Sequence, residues 1–328
     1  MMTTMLNRFF VVLILILTAG LAGCGSSTIE SALKSERFIS FGDAFSDLGQ
    51  AGARYTVNTT TTVAPIWAET LAAGFGKTLT TSLTASGVSY ARGNARILEA
   101  LDAAQGNAPS IKAQIDTFLT GNSFGANDVV LINGGYSDII VNTMRMVDPA
   151  GVGAAFGGTL TDADALANIK QAGKDLGGQI QRLVNSGARY VVVAGVYDLS
   201  KSPWAVDIKQ TNFLAQASLK FNEGLLVATS GLGNNVYYVD AANYFNLVTA
   251  TPTAYGLSDG SAAVCNSIDP GNGIGIGTGK INSFLCTPST VVSGADYTKY
   301  VFADQVYPTP VMHSLWGARA AQLLSSRW

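Results

Sequence analysis

Short apolar runs alternate with longer stretches of helical periodicity along most of this chain, and that alternation limits its fold more than any other feature. Arg37–Phe41 (RFISF), Asp128–Ile132, Tyr190–Ala194 and Val236–Val239 are runs of four or five mostly apolar residues. Near-continuous apolar segments of that length are what strands buried on both faces look like. Between them lie helical patterns. Ser110 can cap a helix that places Ile111, Ile115, Phe118 and Leu119 on one face. Leu166, Ile169, Gly173, Leu176, Ile180, Leu183 and Val184 mark a longer helix with Gly187 as its stop, and Phe213, Leu214, Ala217, Phe221 and Leu225 mark a third. Strands separated by helices predict an α/β fold, with a parallel sheet covered on both faces and function collected at the carboxyl ends of the strands.

The chain has 328 residues, 48% hydrophobic and 13% charged, with 36 glycines. Such a composition suits one sizeable core joined by many tight turns, and we expect a single domain over 37–328. Twenty basic against twenty-two acidic residues give a formal charge of -2, with no basic block, which argues against nucleic acid as a partner. Gly271–Lys280 (GNGIGIGTGK) has a nucleotide-loop look, but its glycines miss the spacing of a phosphate loop and Ile281 follows Lys280 where Ser or Thr is needed. It reads instead as a flexible, disulfide-stapled surface loop. No pattern calls for a metal or an organic cofactor.

The amino terminus carries a different message. Arg8 is the lone positive charge ahead of an apolar run, Phe9–Leu21, which is too short to cross a bilayer core of ~30 Å comfortably and suits the core of a signal peptide over 1–23. Leu21-Ala22-Gly23-Cys24 resembles the bacterial lipobox. That resemblance implies diacylation of Cys24 at its sulfur, a lipid-anchored mature chain in the cell envelope, and, from Gly25 at the next position, the outer membrane. Residues 24–36, small and polar, then form the lipidated start and tether. With Cys24 lipidated, Cys265 and Cys286 remain, and in an oxidising compartment they are expected to pair. Closing a loop of ~20 residues is worth ~3 kcal/mol on the chain-entropy account.

After the first strand comes Phe41-Gly42-Asp43-Ala44-Phe45-Ser46-Asp47-Leu48-Gly49. A strand ending in a sharp glycine turn presents the next side chains at the mouth of the sheet. This segment resembles the first block of the GDSL/SGNH ester-hydrolase family, F-G-D-S-x-x-D-x-G, at every defined position except the serine, the family's nucleophile, where Ala44 stands. Tyr90-Ala91-Arg92-Gly93-Asn94-Ala95-Arg96 is similar to the second block, whose glycine, here Gly93, offers its amide to the oxyanion. Leu131–Asp138 (LINGGYSD) is similar to the third, G-x-N-D, with Ser137 in place of the oxyanion-binding Asn. Tyr197-Asp198-Leu199, with Pro203 shortly after, resembles the family's P-D-L segment. Asp304–Thr309 (DQVYPT) resembles the closing D-x-V-H-P-T, with Asp304 at the triad Asp and Tyr307 at the triad His. Five blocks stand in the family's order. The resemblance implies a flavodoxin-like three-layer sandwich, and an esterase or lipase activity that needs no cofactor.

The reactive positions depart from that pattern together. A serine attacks because a His takes its proton and an Asp orients that His. Alanine has no lone pair to offer, and a neutral Tyr with a pKa near 10 is a poor base at pH 7. Losing such a nucleophile costs on the order of a millionfold in turnover. His313, the only histidine, lies at the start of the last predicted helix, where it packs that helix or serves as a substitute base. Ser46 and Ser137 are the substitute nucleophiles nearest the turn. An engineered knock-out accounts for Ala44 alone, whereas natural degeneration accounts for Ser137 and Tyr307 as well. Three functions fit: a non-catalytic binder with a cleft for an ester, lipid or acylated sugar, walled in part by Tyr136 and Tyr307; a weak ester hydrolase with a site rearranged around His313 and Asp304; or a structural envelope lipoprotein.

Overall fold

Each of the four apolar runs forms a strand of one parallel sheet in a computed structural model that describes residues 33–59 and 63–328. The strands are β1 (Phe38–Phe41), β2 (Val129–Asn133), β3 (Tyr190–Ala194) and β4 (Val236–Val239), in the spatial order β1-β2-β3-β4. Phe41 lies opposite Ile132, Ile132 opposite Val193, and Val193 opposite Tyr238. β1 and β2 are buried at every position, which is why their sequences do not alternate.

β1 is not the edge of this sheet. The Ser40 amide donates to the Val88 carbonyl at 3.0 Å and the Tyr90 amide donates to the Ser40 carbonyl at 2.7 Å, so residues 88–90 extend the sheet beyond β1. From β1 the chain thus pairs first on one side and then on the other. That reversal puts the carboxyl end of β1 at the topological switch point, where open α/β sheets form their functional crevice. The turn that carries Ala44 leaves from there.

Helices cover the sheet, giving the three-layer α/β arrangement. They are α1 (Trp67–Gly74), α2 (Ile111–Gly121), α3 (Tyr136–Val147), α4 (Asp162–Asn185), α5 (Pro203–Asp207), α6 (Thr211–Thr229), α7 (Ala241–Ala250) and α8 (Pro310–Ser325). Ser110 caps α2 by accepting from the Ala113 amide, and Ile111, Ile115 and Phe118 are buried on its inner face. Thr161 caps α4 in the same way through the Asp164 amide. α4 packs along α6, and α1 packs against α8. His313 sits in the first turn of α8, behind the Thr309 cap.

The segment between α7 and α8 forms small irregular pairings. β5 (Asp259–Ala263) runs parallel to β8 (Tyr300–Phe302), while β6 (Ile268–Asp269) and β7 (Lys280–Ile281) pair antiparallel. Cys265 and Cys286 form the expected disulfide. Together with Val57, Val264 and Ala303 they make a second, small apolar core. The Gly271–Lys280 stretch is not the flexible loop its glycines suggest. Ile274 and Ile276 are buried in the main core, the Asn94 side chain donates to the Gly273 carbonyl at 3.1 Å, and the Asn272 side chain donates to the Ala104 carbonyl at 2.9 Å. Two isoleucines draw the loop down, and two asparagines fasten it.

Leu33 and Ser35 are buried and the Glu36 amide donates to the Asn127 carbonyl, so the packed body reaches back to Leu33. The expected leader, 1–23, and Cys24 lie outside the described residues. Among the described residues no helix is long and apolar enough to cross a membrane.

Candidate functional site

The turn after β1 is held by a glycine and by a side chain that mimics a strand partner. Gln114 of α2 accepts from the Gly42 amide and donates to the Gly42 carbonyl, both at 2.9 Å. A β-carbon at Gly42 would sit 2.2 Å from Asn133 Oδ1, so nothing larger than glycine fits there. Asn133, at the end of β2, donates from Nδ2 to Asp43 Oδ1 at 2.6 Å and accepts the Ser46 hydroxyl at Oδ1. Trp67 Nε1 donates to Ser46 Oγ at 3.0 Å. Ser46 is thereby consumed as a buried link between α1 and β2, in no position to serve as a substitute nucleophile.

The similar blocks converge on this turn. Asp47 accepts the amides of Gly49 and Gln50 through Oδ1 and the amide of Gly93 through Oδ2, the last at 2.7 Å. The amide that the resemblance assigns to an oxyanion therefore already holds a carboxylate. A β-carbon at Gly93 would lie 2.0 Å from the Tyr55 ring, so Tyr55 is pressed onto that backbone. Phe45, next to Ala44, stacks on Tyr136 with centroids 4.6 Å apart. Tyr307 and His313 stand edge-on to Phe45 at 6.1 Å and 5.4 Å, and Tyr55 meets Tyr307 at 5.4 Å.

Those rings close the space. Ala44 and His313 are 1% exposed, and Ser137, Asp304 and Tyr307 are fully buried. The expected cleft walled by Tyr136 and Tyr307 is instead filled by them. The Tyr136 hydroxyl accepts the Tyr197 amide at 2.9 Å, and Tyr307 packs inside the aromatic cluster. Large rings occupy the volume that a substrate would need.

Asp304 has no capacity left for orienting a base. Oδ1 accepts the amides of Val306 at 2.8 Å and Tyr307 at 2.6 Å, while Oδ2 accepts both the amide and the hydroxyl of Ser283. Burial raises its pKa, and these donors oppose the shift. His313 is not among its partners. His313 Nδ1 accepts the Trp67 amide at 3.4 Å, and Nε2 has no partner. Burial, with Arg54 nearby, pushes the His313 pKa down to about 3, so the ring is neutral near pH 7 and binds a proton reluctantly. Burial lifts the Tyr307 phenol well above its usual range.

The sequence gives no warning about Asp43. Burial raises its carboxyl to about 7, against the lowering effect of the Phe45 amide and the Asn133 side chain. Asp43 Oδ2, Ser137 Oγ, Tyr307 Oη and His313 Nε2 are all buried without a hydrogen-bond partner. Unpaired buried polar atoms cost roughly 1–3 kcal/mol each and are uncommon in a core. These are four of the eleven such side-chain atoms among the described residues, whereas the carboxylates of Asp47 and Asp304 and the side-chain amides of Gln114 and Asn133 beside them are bonded. Among the described residues no group of three or more His, Cys, Asp or Glu could hold a metal ion.

No protein-family model matches the chain. A GDSL esterase/lipase of Arabidopsis thaliana is 30% identical over 152 residues, which is 43% of this chain and 36% of that protein. A Pseudomonas putida protein described as an uncharacterized protein in the trpE-trpG intergenic region is 26% identical over 94% of this chain and 52% of its own length. The chain thus spans about half the length of one curated relative and about a third of the other. The partial similarity to an esterase/lipase points to a GDSL-like, hydrolase-related chain and no further.

Proposed function

We propose that this chain is a GDSL/SGNH-like protein that no longer hydrolyses esters and works in the bacterial envelope as a lipid-anchored binding protein. The observation that carries this reading is the turn at the switch point. It presents Ala44 where a nucleophile belongs, sealed under Phe45, Tyr55, Tyr136 and Tyr307. The remaining requirements of acyl transfer fail with it. Asp304 is fully bonded to Ser283 and the 306–307 backbone, and the only histidine does not touch it. The envelope address rests on the lipobox-like Leu21–Cys24 alone.

Hydrolysis of short-chain p-nitrophenyl esters tests the loss of activity. Wild type should match the uncatalysed background, and the triple substitution Ala44→Ser, Ser137→Asn, Tyr307→His should raise turnover above it. Robust wild-type turnover that His313→Ala abolishes would establish the rearranged hydrolase instead. For the anchor, Cys24→Ser should abolish incorporation of labelled palmitate and release the chain from the membrane fraction. Retention of label by that variant contradicts the lipidation site.

A further inference from the structure

A polar groove lies between α3 and α4, with Asp138, the residue after Ser137, in its lining. α3 contributes Asp138, Asn142 and Arg145, and α4 contributes Asn168, Gln171 and Asp175. Within each helix these residues fall at intervals of three or four, so each set forms one stripe. Stripes that face a neighbouring helix are ordinarily apolar, because burying that face is what stabilises the pair. These two are polar apart from Ala172 on α4, and the 96–99 loop adds Arg96, Ile97, Leu98 and Glu99 to the lining of a cavity of about 240 Å³.

The floor of the groove is bonded in a way that leaves its binding groups free. Arg96 donates through Nε to Asp138 Oδ1 at 3.2 Å, and the Ile97 amide donates to Asp138 Oδ2 at 3.0 Å. Asn168 donates to Asn142 Oδ1 at 3.2 Å, Asn142 donates to the Asp138 carbonyl at 2.8 Å, and Gln171 donates to Asp175 at 2.8 Å. Arg145 is fixed through Nε to the Gly158 carbonyl at 3.1 Å, and the Phe156 ring lies 5.8 Å from the Arg96 guanidinium carbon. Both guanidinium groups are therefore held by Nε or by a ring face. Among the described residues no hydrogen bond takes up their terminal nitrogens. The two guanidinium groups share the lining with the carboxylates of Glu99 and Asp175.

The charge balance selects the ligand class. Two guanidinium groups face three carboxylates, so the groove is formally -1 and holds no surplus of positive charge for an anion. A neutral polyol suits it better, because each hydroxyl accepts from an arginine or amide and donates to a carboxylate. The volume falls just short of the roughly 300–1,000 Å³ of sites for drug-sized molecules, which suits one sugar unit of a longer chain. We infer that this groove is a saccharide-binding site that takes one ring of a neutral oligosaccharide. Its occupancy does not depend on whether the Ala44 turn has lost hydrolysis.

Ligand-observed NMR on the full chain tests the assignment, using maltotriose, cellotriose, xylotriose and chitotriose as probes with sodium sulfate as the anionic control. At least one trisaccharide should bind, Arg145→Ala should weaken it at least about tenfold, the loss of a hydrogen bond from a charged group, and Gln171→Ala should weaken it about two- to tenfold, the loss of a neutral one. Thermal unfolding should show both variants folded, since Gln171 is exposed and Arg145 half-buried. The assignment is overturned if no trisaccharide binds, if binding survives both substitutions unchanged, or if sulfate displaces the sugar from the groove. Ester hydrolysis is read separately, so failure here leaves the reading of Ala44 standing.

Discussion

The interior around Ala44 and the groove between α3 and α4 treat polar groups in opposite ways. In the interior, Asp43 Oδ2, Ser137 Oγ, Tyr307 Oη and His313 Nε2 are buried with nothing to bond. In the groove, Asn168 bonds Asn142, Asn142 bonds the Asp138 carbonyl and Arg96 bonds the Asp138 carboxylate, while Gln171 bonds Asp175 separately; Asp138 and Asn142 are buried but bonded, and Asn168 and Gln171 are exposed. The first arrangement is costly and the second is cheap. The proposed loss of hydrolysis accounts for the orphaned atoms under the aromatic rings, and the proposed saccharide site accounts for the bonded polar groove.

Substitutions can break that contrast, and the largest effect should come from the frame itself. Asp304→Ala removes the acceptor of four hydrogen bonds in a buried loop and should cost on the order of 3–5 kcal/mol in urea unfolding. A cost near zero would show that Asp304 does not hold this loop.

Asp43 gives the next effect, read against pH. Its folded pKa of about 7 lies above the ordinary 3.8, so the folded state binds the proton more tightly. That contribution is fully present below pH 3.8 and is lost as pH rises through about 7, a span worth about 4 kcal/mol. Asp43→Asn should flatten the stability profile between those limits. His313 works in the opposite sense: its pKa falls from 6.5 to about 3, so its contribution is present above 6.5 and lost as pH falls toward 3. His313→Gln should therefore reduce acid sensitivity. An unchanged profile in both variants would mean that neither group is buried as described.

Smaller effects sharpen the comparison further. Tyr307→Phe deletes an unpaired buried hydroxyl and should be neutral or stabilising by about 1 kcal/mol, where the loss of a working hydrogen bond would destabilise. Asn168→Ala, at the exposed groove, should stay within roughly 0.5 kcal/mol of wild type.

Much of this architecture is legible in the sequence, for identifiable reasons. β1 to β4 read correctly to within a residue because strands buried on both faces are continuous apolar runs, and α2, α4 and α6 because their inner faces repeat at helical spacing. Residues 88–90 escape because so short a pairing has no periodicity. α3 escapes because it is buried over most of its length and mixes Ser, Asp, Asn and Thr among its apolar residues. At the site, the blocks mark which segments meet, and Ala44, Ser137 and Tyr307 mark where this chain differs from the pattern it resembles. They do not reveal the closure. Tyr55 is brought against Gly93, Tyr307 and Phe284 by contacts between distant segments, and Asp43 acquires its shifted pKa from burial in the folded chain.

Labelling with a fluorophosphonate probe, followed by intact mass and peptide mapping, tests the central claim most directly. A chain whose switch-point turn carries Ala44, with Ser46 tied to Asn133 and Trp67 and Ser137 buried, should show no adduct at any serine. A stoichiometric adduct on Ser46 or Ser137 would contradict it.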